Sequence, residues 1–194
     1  MDSNFENLDA RQISMIGPYN AVALTGNLSD NLIYGGGGND SLFGAEISSA
    51  FSNGDHDGAD TLIGGVGDDF YRVFDSDDVV IENQGEGHDI INVFGDVGGT
   101  YTLAENVEEL IYSPGGAIHN NIDVLIGNKL DNYIQTTYND IVYGGLGNDT
   151  VLGGSGNKLL GGMGDDLYRL LQDNNQIVEY SNEGVDTVST KSTL

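Results

Sequence analysis

Four stretches of this chain share the order Gly-Gly-x-Gly-x-Asp-x-apolar-x: 35–43 (GGGGNDSLF), 64–72 (GGVGDDFYR), 144–152 (GGLGNDTVL) and 161–169 (GGMGDDLYR). Glycine reaches φ > 0 and carries no Cβ, so carbonyls of such a run can turn toward one point. The Asp at the sixth place adds a charged oxygen. Carbonyls and carboxylates together are what a hard cation such as Ca²⁺ takes, about six to eight oxygens at a time. The candidate ligands are therefore Gly36, Gly38 and Asp40, then Gly65, Gly67 and Asp69. Later in the chain they are Gly145, Gly147 and Asp149, then Gly162, Gly164 and Asp166.

Weaker rows fall in step with the strong ones. GNLSDNLIY (26–34) and GNKLDNYIQ (127–135) keep nine residues, whereas TTYNDIVY (136–143) and GGSGNKLL (153–160) have eight. Each row reads as a turn followed by a three-residue strand whose middle side chain, at the eighth place, is buried. Two rows make one coil, with strands stacked as two parallel sheets, so turns on one edge are every second row. One edge then carries Asp40, Asp69 and Asp89, and in the second series Asp149, Asp166 and Asp186. The other carries Asn31, Asp60 and Asp78, then Asp140, Asn157 and Asn175. An ion is expected between successive turns of an edge. Asn offers a neutral carbonyl in place of a carboxylate, so the later sites of this edge, in the second series, are expected to be weak or empty. The competing reading is that an Asp in a Gly-rich turn only bonds nearby backbone, and it weighs most for Asp78 and Asp140.

The spacing predicts an all-β chain, a parallel β-roll or solenoid in two tandem copies. The expected core is Leu42, Leu62, Tyr71, Val80 and Ile91, then Ile134, Val142, Val151, Leu159, Tyr168, Ile177 and Val188. One buried side chain per row is little against a backbone entropy of roughly 1–2 kcal/mol per residue. Bound metal is then expected to supply much of the folding free energy. Residues 60–93 align without a gap onto 157–190, with Glu82 falling on Glu179 and Asp89 on Asp186. We divide the chain into a flank or cap (1–20), a first roll (21–93, with an insertion at 45–56), a metal-free continuation (94–126) and a second roll (127–194). The second copy lacks a match to the NVEELIY stretch (106–112), which suggests a longer array.

Against 31 Asp and Glu stand 6 Lys and Arg, a formal charge of −25. A compact fold with that charge repels itself unless something positive sits within it. No basic face meets phosphates, so nucleic acid is excluded as a partner. No run of 18 apolar residues is present to span a membrane. There is no cysteine, and residues 1–20 lack the basic start and apolar stretch of a secretory leader. Asn53-x-Asp55-x-Asp57-Gly58 matches the opening of an EF-hand loop, but Gly64 stands where the closing Glu belongs. His56, His88 and His119 show no metal spacing, and Ser155 lacks the strand–turn–helix setting of a nucleophile, so no catalytic constellation is expected.

The four strong rows in step resemble the repeats-in-toxin (RTX, haemolysin-type) calcium-binding nonapeptide family, over roughly residues 21–190. The resemblance implies several bound Ca²⁺ ions and a secreted, extracellular or cell-surface protein. It implies a module that stays unfolded at low cytosolic Ca²⁺, leaves through export machinery and folds outside. Domains of a parent protein beyond this chain are implied as partners. Two other roles fit the resemblance: the C-terminal repeat domain of a secreted protease, lipase or epimerase, or an adhesive or surface-layer element.

Overall fold

In a computed structural model, residues 7–9, 20–46, 58–74, 76–95, 99–113, 123–172 and 174–190 are described. Most of the 45–56 insertion, with Asn53, Asp55, His56 and Asp57 of the EF-hand-like run, lies outside them, as does His119. The strands are β1 (Asn7–Asp9), β2 (Ala23–Thr25), β3 (Leu32–Gly37), β4 (Ser41–Phe43), β5 (Thr61–Val66) and β6 (Phe70–Val73). Next come β7 (Val79–Ile81), β8 (Ile90–Phe94), β9 (Thr100–Thr102), β10 (Glu109–Ser113), β11 (Val124–Ile126) and β12 (Tyr133–Tyr138). The chain continues with β13 (Ile141–Leu146), β14 (Thr150–Ser155), β15 (Lys158–Met163), β16 (Leu167–Leu170), β17 (Gln176–Ile177) and β18 (Thr187–Thr190).

All pairings are parallel and join every second strand, the arrangement of a β-roll. From β2 to β18 the even-numbered strands form one nine-stranded sheet. Its central column runs Leu24, Leu42, Tyr71, Ile91, Leu110, Ile134, Val151, Tyr168 and Val188 in register. The opposite face carries Leu8, Ile33, Leu62 and Val80, then Tyr101, Leu125, Val142, Leu159 and Ile177. These two columns meet as the core, which is widened by Val73, Val93, Leu103, Val107, Tyr112 and Leu170; strand side chains alternate, so each strand offers mainly every second residue to it. The outward neighbours are half-buried or exposed except Asn92 and Leu160, which are buried, and no helix occurs among the described residues.

Two expectations need correction. The second face is split into a four-stranded sheet (β1, β3, β5, β7) and a five-stranded sheet (β9, β11, β13, β15, β17). No ladder links β7 to β9. There the Glu82 carbonyl accepts from Asn106 Nδ2 at 3.0 Å, and Tyr101, Leu103 and Val107 fill the interior. Val188, expected in the core, is 51% exposed. It lies in β18, which pairs only with β16, so no described coil covers it. Ile177 is only partly buried and packs against the core from its flank.

Candidate metal centre

The turns between strands define two edges of the roll. On the first edge the chain passes from the split face to the nine-stranded sheet, and on the second it returns. The eight glycines singled out in the sequence (Gly36, Gly38, Gly65, Gly67, Gly145, Gly147, Gly162 and Gly164) all have positive φ, between 97° and 145°. Turns of one edge stack so closely that any side chain would collide. A Cβ on Gly65 would lie 2.4 Å from the Gly36 carbonyl oxygen, and one on Gly67 2.2 Å from that of Gly38. The repeat needs glycine there both for φ and for contact between coils.

The sixth-place residues form ladders along each edge. On the first, the Asp40 N–H donates to Asp69 Oδ1 at 2.6 Å, and the Asp69 N–H to Asp89 Oδ1 at 2.8 Å. The second copy repeats this with Asp149 to Asp166 at 2.7 Å and Asp166 to Asp186 at 3.0 Å. Sequence reasoning missed two further rungs, one leaving the first copy and one opening the second. The Asp89 N–H donates to Glu108 Oε2 at 2.8 Å, and the Asn132 N–H to Asp149 Oδ1 at 2.8 Å. One carboxylate oxygen per rung thus serves the backbone of the preceding coil.

The other oxygen is the informative one. Oδ2 of Asp40, Asp69, Asp149 and Asp166 is buried and has no hydrogen-bond partner, although each residue is 1% exposed. Unpaired buried carboxylate oxygens are costly and call for a counter-charge. Burial, reinforced by neighbouring acids, pushes Asp69 up to about 7, and burial likewise raises Asp149 to about 7 and Asp89 to about 6. The same cause raises Asp40 and Asp166. A divalent cation inverts this logic, since the charged form then gains a partner. Four orphaned oxygens beside turns whose φ > 0 carbonyls stack coil upon coil fit Ca²⁺, a hard, oxygen-seeking ion.

The second edge is built from the same rungs with different chemistry. The Asn31 N–H donates to Asp60 Oδ1 at 2.7 Å, and the Asp60 N–H to Asp78 Oδ1 at 3.0 Å. Asp78 Oδ2 also accepts the Phe74 N–H at 2.9 Å, so both its oxygens serve backbone. The Asp140 N–H donates to Asn157 Oδ1 and the Asn157 N–H to Asn175 Oδ1, each at 2.9 Å. Asp140 Oδ2 accepts the Thr136 hydroxyl. Asp123, absent from the sequence-based candidates, is fully buried on this edge and accepts from the Gly99 N–H and the Tyr112 hydroxyl.

The structure also gathers two carboxylate triads, Asp69–Glu82–Asp89 and Asp166–Glu179–Asp186, each with ligand oxygens within 4.8 Å of one another. Glu82 and Glu179 escaped the sequence reading as site residues. The signal available was their alignment in the 97-residue duplication. His88 is exposed and contacts Glu109 at 3.0 Å.

Compared with known families, residues 23–46, 56–72 and 136–157 match the RTX calcium-binding nonapeptide repeat, in four copies. Row 161–169 lies outside the matched residues yet has the same turn φ values and the same buried Asp. No curated protein and no solved structure matches the chain. Stacked positive-φ turns, buried Asp rungs and the family match agree: this chain carries RTX calcium-binding nonapeptide repeats.

Proposed function

We propose that the chain is a non-catalytic module that folds on binding several Ca²⁺ ions, as part of a secreted bacterial protein, after export. The observation carrying this reading is the set of buried Asp Oδ2 atoms on the first edge, which no group of the protein satisfies. At neutral pH these acids resist burial as anions, and the roll has only a thin core between its two faces to oppose that cost. Metal binding is then folding free energy. A chain that stays open at submicromolar Ca²⁺ and closes at millimolar Ca²⁺ suits passage through a narrow export channel. In this reading Asp40, Asp69, Asp89, Asp149, Asp166 and Asp186 supply carboxylates on the first edge and Asp60 on the second. The positive-φ glycine turns supply carbonyls. Asp78 and Asp140 are the weakest ligands, because their second oxygens already accept protein donors. The rolls at 21–93 and 127–194 bind the ions, and the stretch at 94–126 joins them.

Far-ultraviolet circular dichroism during a Ca²⁺ titration tests the reading. Strand signal should appear between micromolar and millimolar Ca²⁺ and vanish with chelator. Mg²⁺ should not substitute, because it demands a tight octahedron and dehydrates reluctantly. At pH 8, where the buried acids are ionised, a native spectrum in excess chelator would refute the proposal.

A further inference from the structure

In the rows at 64–69 and 161–166 the first residue of the turn must be glycine. A Cβ on Gly64 would lie 2.0 Å from Asp69 Oδ2, and one on Gly161 1.9 Å from Asp166 Oδ2. One coil further on the rule is broken. Ile63 pairs with Ile81 and Leu159 with Ile177, which sets Glu82 beside Gly64 and Glu179 beside Gly161. The turns that follow, 82–89 and 179–186, have eight residues where 64–69 and 161–166 have six. They also lack the Gly-Gly-x-Gly order: the first reads ENQGEGHD.

The glutamates turn back toward the preceding coil. Glu82 is 6% exposed; its Oε1 accepts the Tyr71 hydroxyl, and its Oε2 is buried without any partner. Asp69 Oδ2, also unpartnered, lies in the same cluster with Asp89. The second copy repeats the arrangement, with Glu179 Oε1 on the Tyr168 hydroxyl and Glu179 Oε2 unpartnered. Tyr71 and Tyr168 stand where Leu42 and Val151 stand in other rows, so each puts a hydroxyl into an otherwise aliphatic column.

A cation between two glycine turns can draw carbonyls from both. Above Asp69 and Asp166 the next turn still stacks Gly87 on Gly67 and Gly184 on Gly164, but a glutamate stands where the other rows open on Gly-Gly. We propose that Asp69–Glu82–Asp89 and Asp166–Glu179–Asp186 are closing Ca²⁺ sites, in which one glutamate takes the place of the missing Gly-Gly opening as a ligand and a tyrosine hydroxyl aims it. This rests on the calcium reading above and adds two glutamate ligands to it. Three carboxylates around one divalent ion also make these the most negative sites of the first edge, and ligand charge strongly governs Ca²⁺ affinity. The two tyrosines are positioning residues, because their hydroxyls act on the glutamates.

Equilibrium dialysis of the whole chain at saturating Ca²⁺ counts the ions. Glu82→Gln should lose one bound ion per chain, and the double variant with Glu179→Gln should lose two. Tyr71→Phe removes the hydrogen bond but keeps the carboxylate, so it should retain the full count. Glu86→Gln, at an acid of the same turn whose carboxylate accepts from Asn83, should retain it too. A full count in Glu82→Gln, or equal loss in Glu82→Gln and Tyr71→Phe, would overturn the proposal. If Glu82→Gln stays unfolded at saturating Ca²⁺, the less buried Glu179→Gln beside Tyr168→Phe gives the same comparison. A wild-type chain that binds no calcium would instead remove the reading on which this one rests.

Discussion

The two edges of the roll use the same rung spacing and reach opposite solutions for the polar groups in their turns. On the first edge Asp40, Asp69, Asp149 and Asp166 each leave one oxygen orphaned. On the second edge of copy two, the amide nitrogens of Asn157 and Asn175 donate to turn carbonyls. Asn157 Nδ2 reaches Thr137 O at 3.4 Å, and Asn175 Nδ2 reaches Gly154 O at 3.0 Å and Gln172 O at 2.9 Å. Asn31 does the same to Asn27 O at 3.2 Å, and on the first edge Asn132 to Val107 O at 3.3 Å. Asn157 and Asn175 keep the rung through Oδ1 and close the turn with their own N–H groups. An Asp turn in which no protein donor reaches the second oxygen, as at Asp166, needs an outside cation, whereas the turns at Asn157 and Asn175 bring their donors with them. The identity of one atom, oxygen or nitrogen, separates a metal-dependent coil from a self-satisfied one.

The largest expected effect sets Asp69→Ala or Asp166→Ala against Asn157→Ala. Removing Asp69 strips the Asp40 N–H of its acceptor, about 1–3 kcal/mol by itself, and removes a carboxylate from the ion sites. The Ca²⁺ midpoint for folding should rise on the order of tenfold or more, since each tenfold is about 1.4 kcal/mol. Asn157→Ala should destabilise the fold at all Ca²⁺ concentrations yet leave the ion count unchanged. Asp68→Ala removes an exposed neighbour and should do little. If it matches Asp69→Ala in a circular dichroism titration, the comparison fails.

Asp60→Asn imports the copy-two solution into copy one. It should lower the ion count by one by calorimetry and keep the strand spectrum, with a smaller midpoint shift than any first-edge substitution. The reverse exchange, Asn157→Asp, removes the amide donor. One additional ion at millimolar Ca²⁺ is expected, and an unchanged count would assign the closure to the shortened row 153–160 instead.

The smallest effect is a pH dependence without metal. Asp69, Asp89 and Asp149 have folded values of about 7, 6 and 7, against an ordinary 3.8, because of burial. Glu82 is likewise pushed to about 8 from 4.5. The folded chain therefore binds more protons than the unfolded one. Their contribution to stability is fully present below about pH 4 and is lost as pH rises through about 6 to 8. Strand content in chelator should fall across that window, and saturating Ca²⁺ should hold it level. A pH-independent signal in chelator would contradict the burial of these acids.

The roll was legible from spacing because nine residues are one turn and one strand, and a parallel coil repeats both. Positive φ at Gly65 and Gly162, the sorting of Asp69 and Asp60 to opposite edges, and the Leu42–Ile91–Val151 column all follow from that local period. Only the tertiary structure joined Glu82 to Asp69, thirteen positions away in sequence, because their meeting depends on how the 82–89 turn stacks on the one before it. It likewise decided that the second face breaks after β7 and that Val188 is uncovered, since both depend on what the adjacent coil presents. The donor role of the Asn amides was hidden for the same reason. Composition says that Asn carries both an oxygen and an N–H₂ group, but only the stacked turns determine which carbonyls that group can reach.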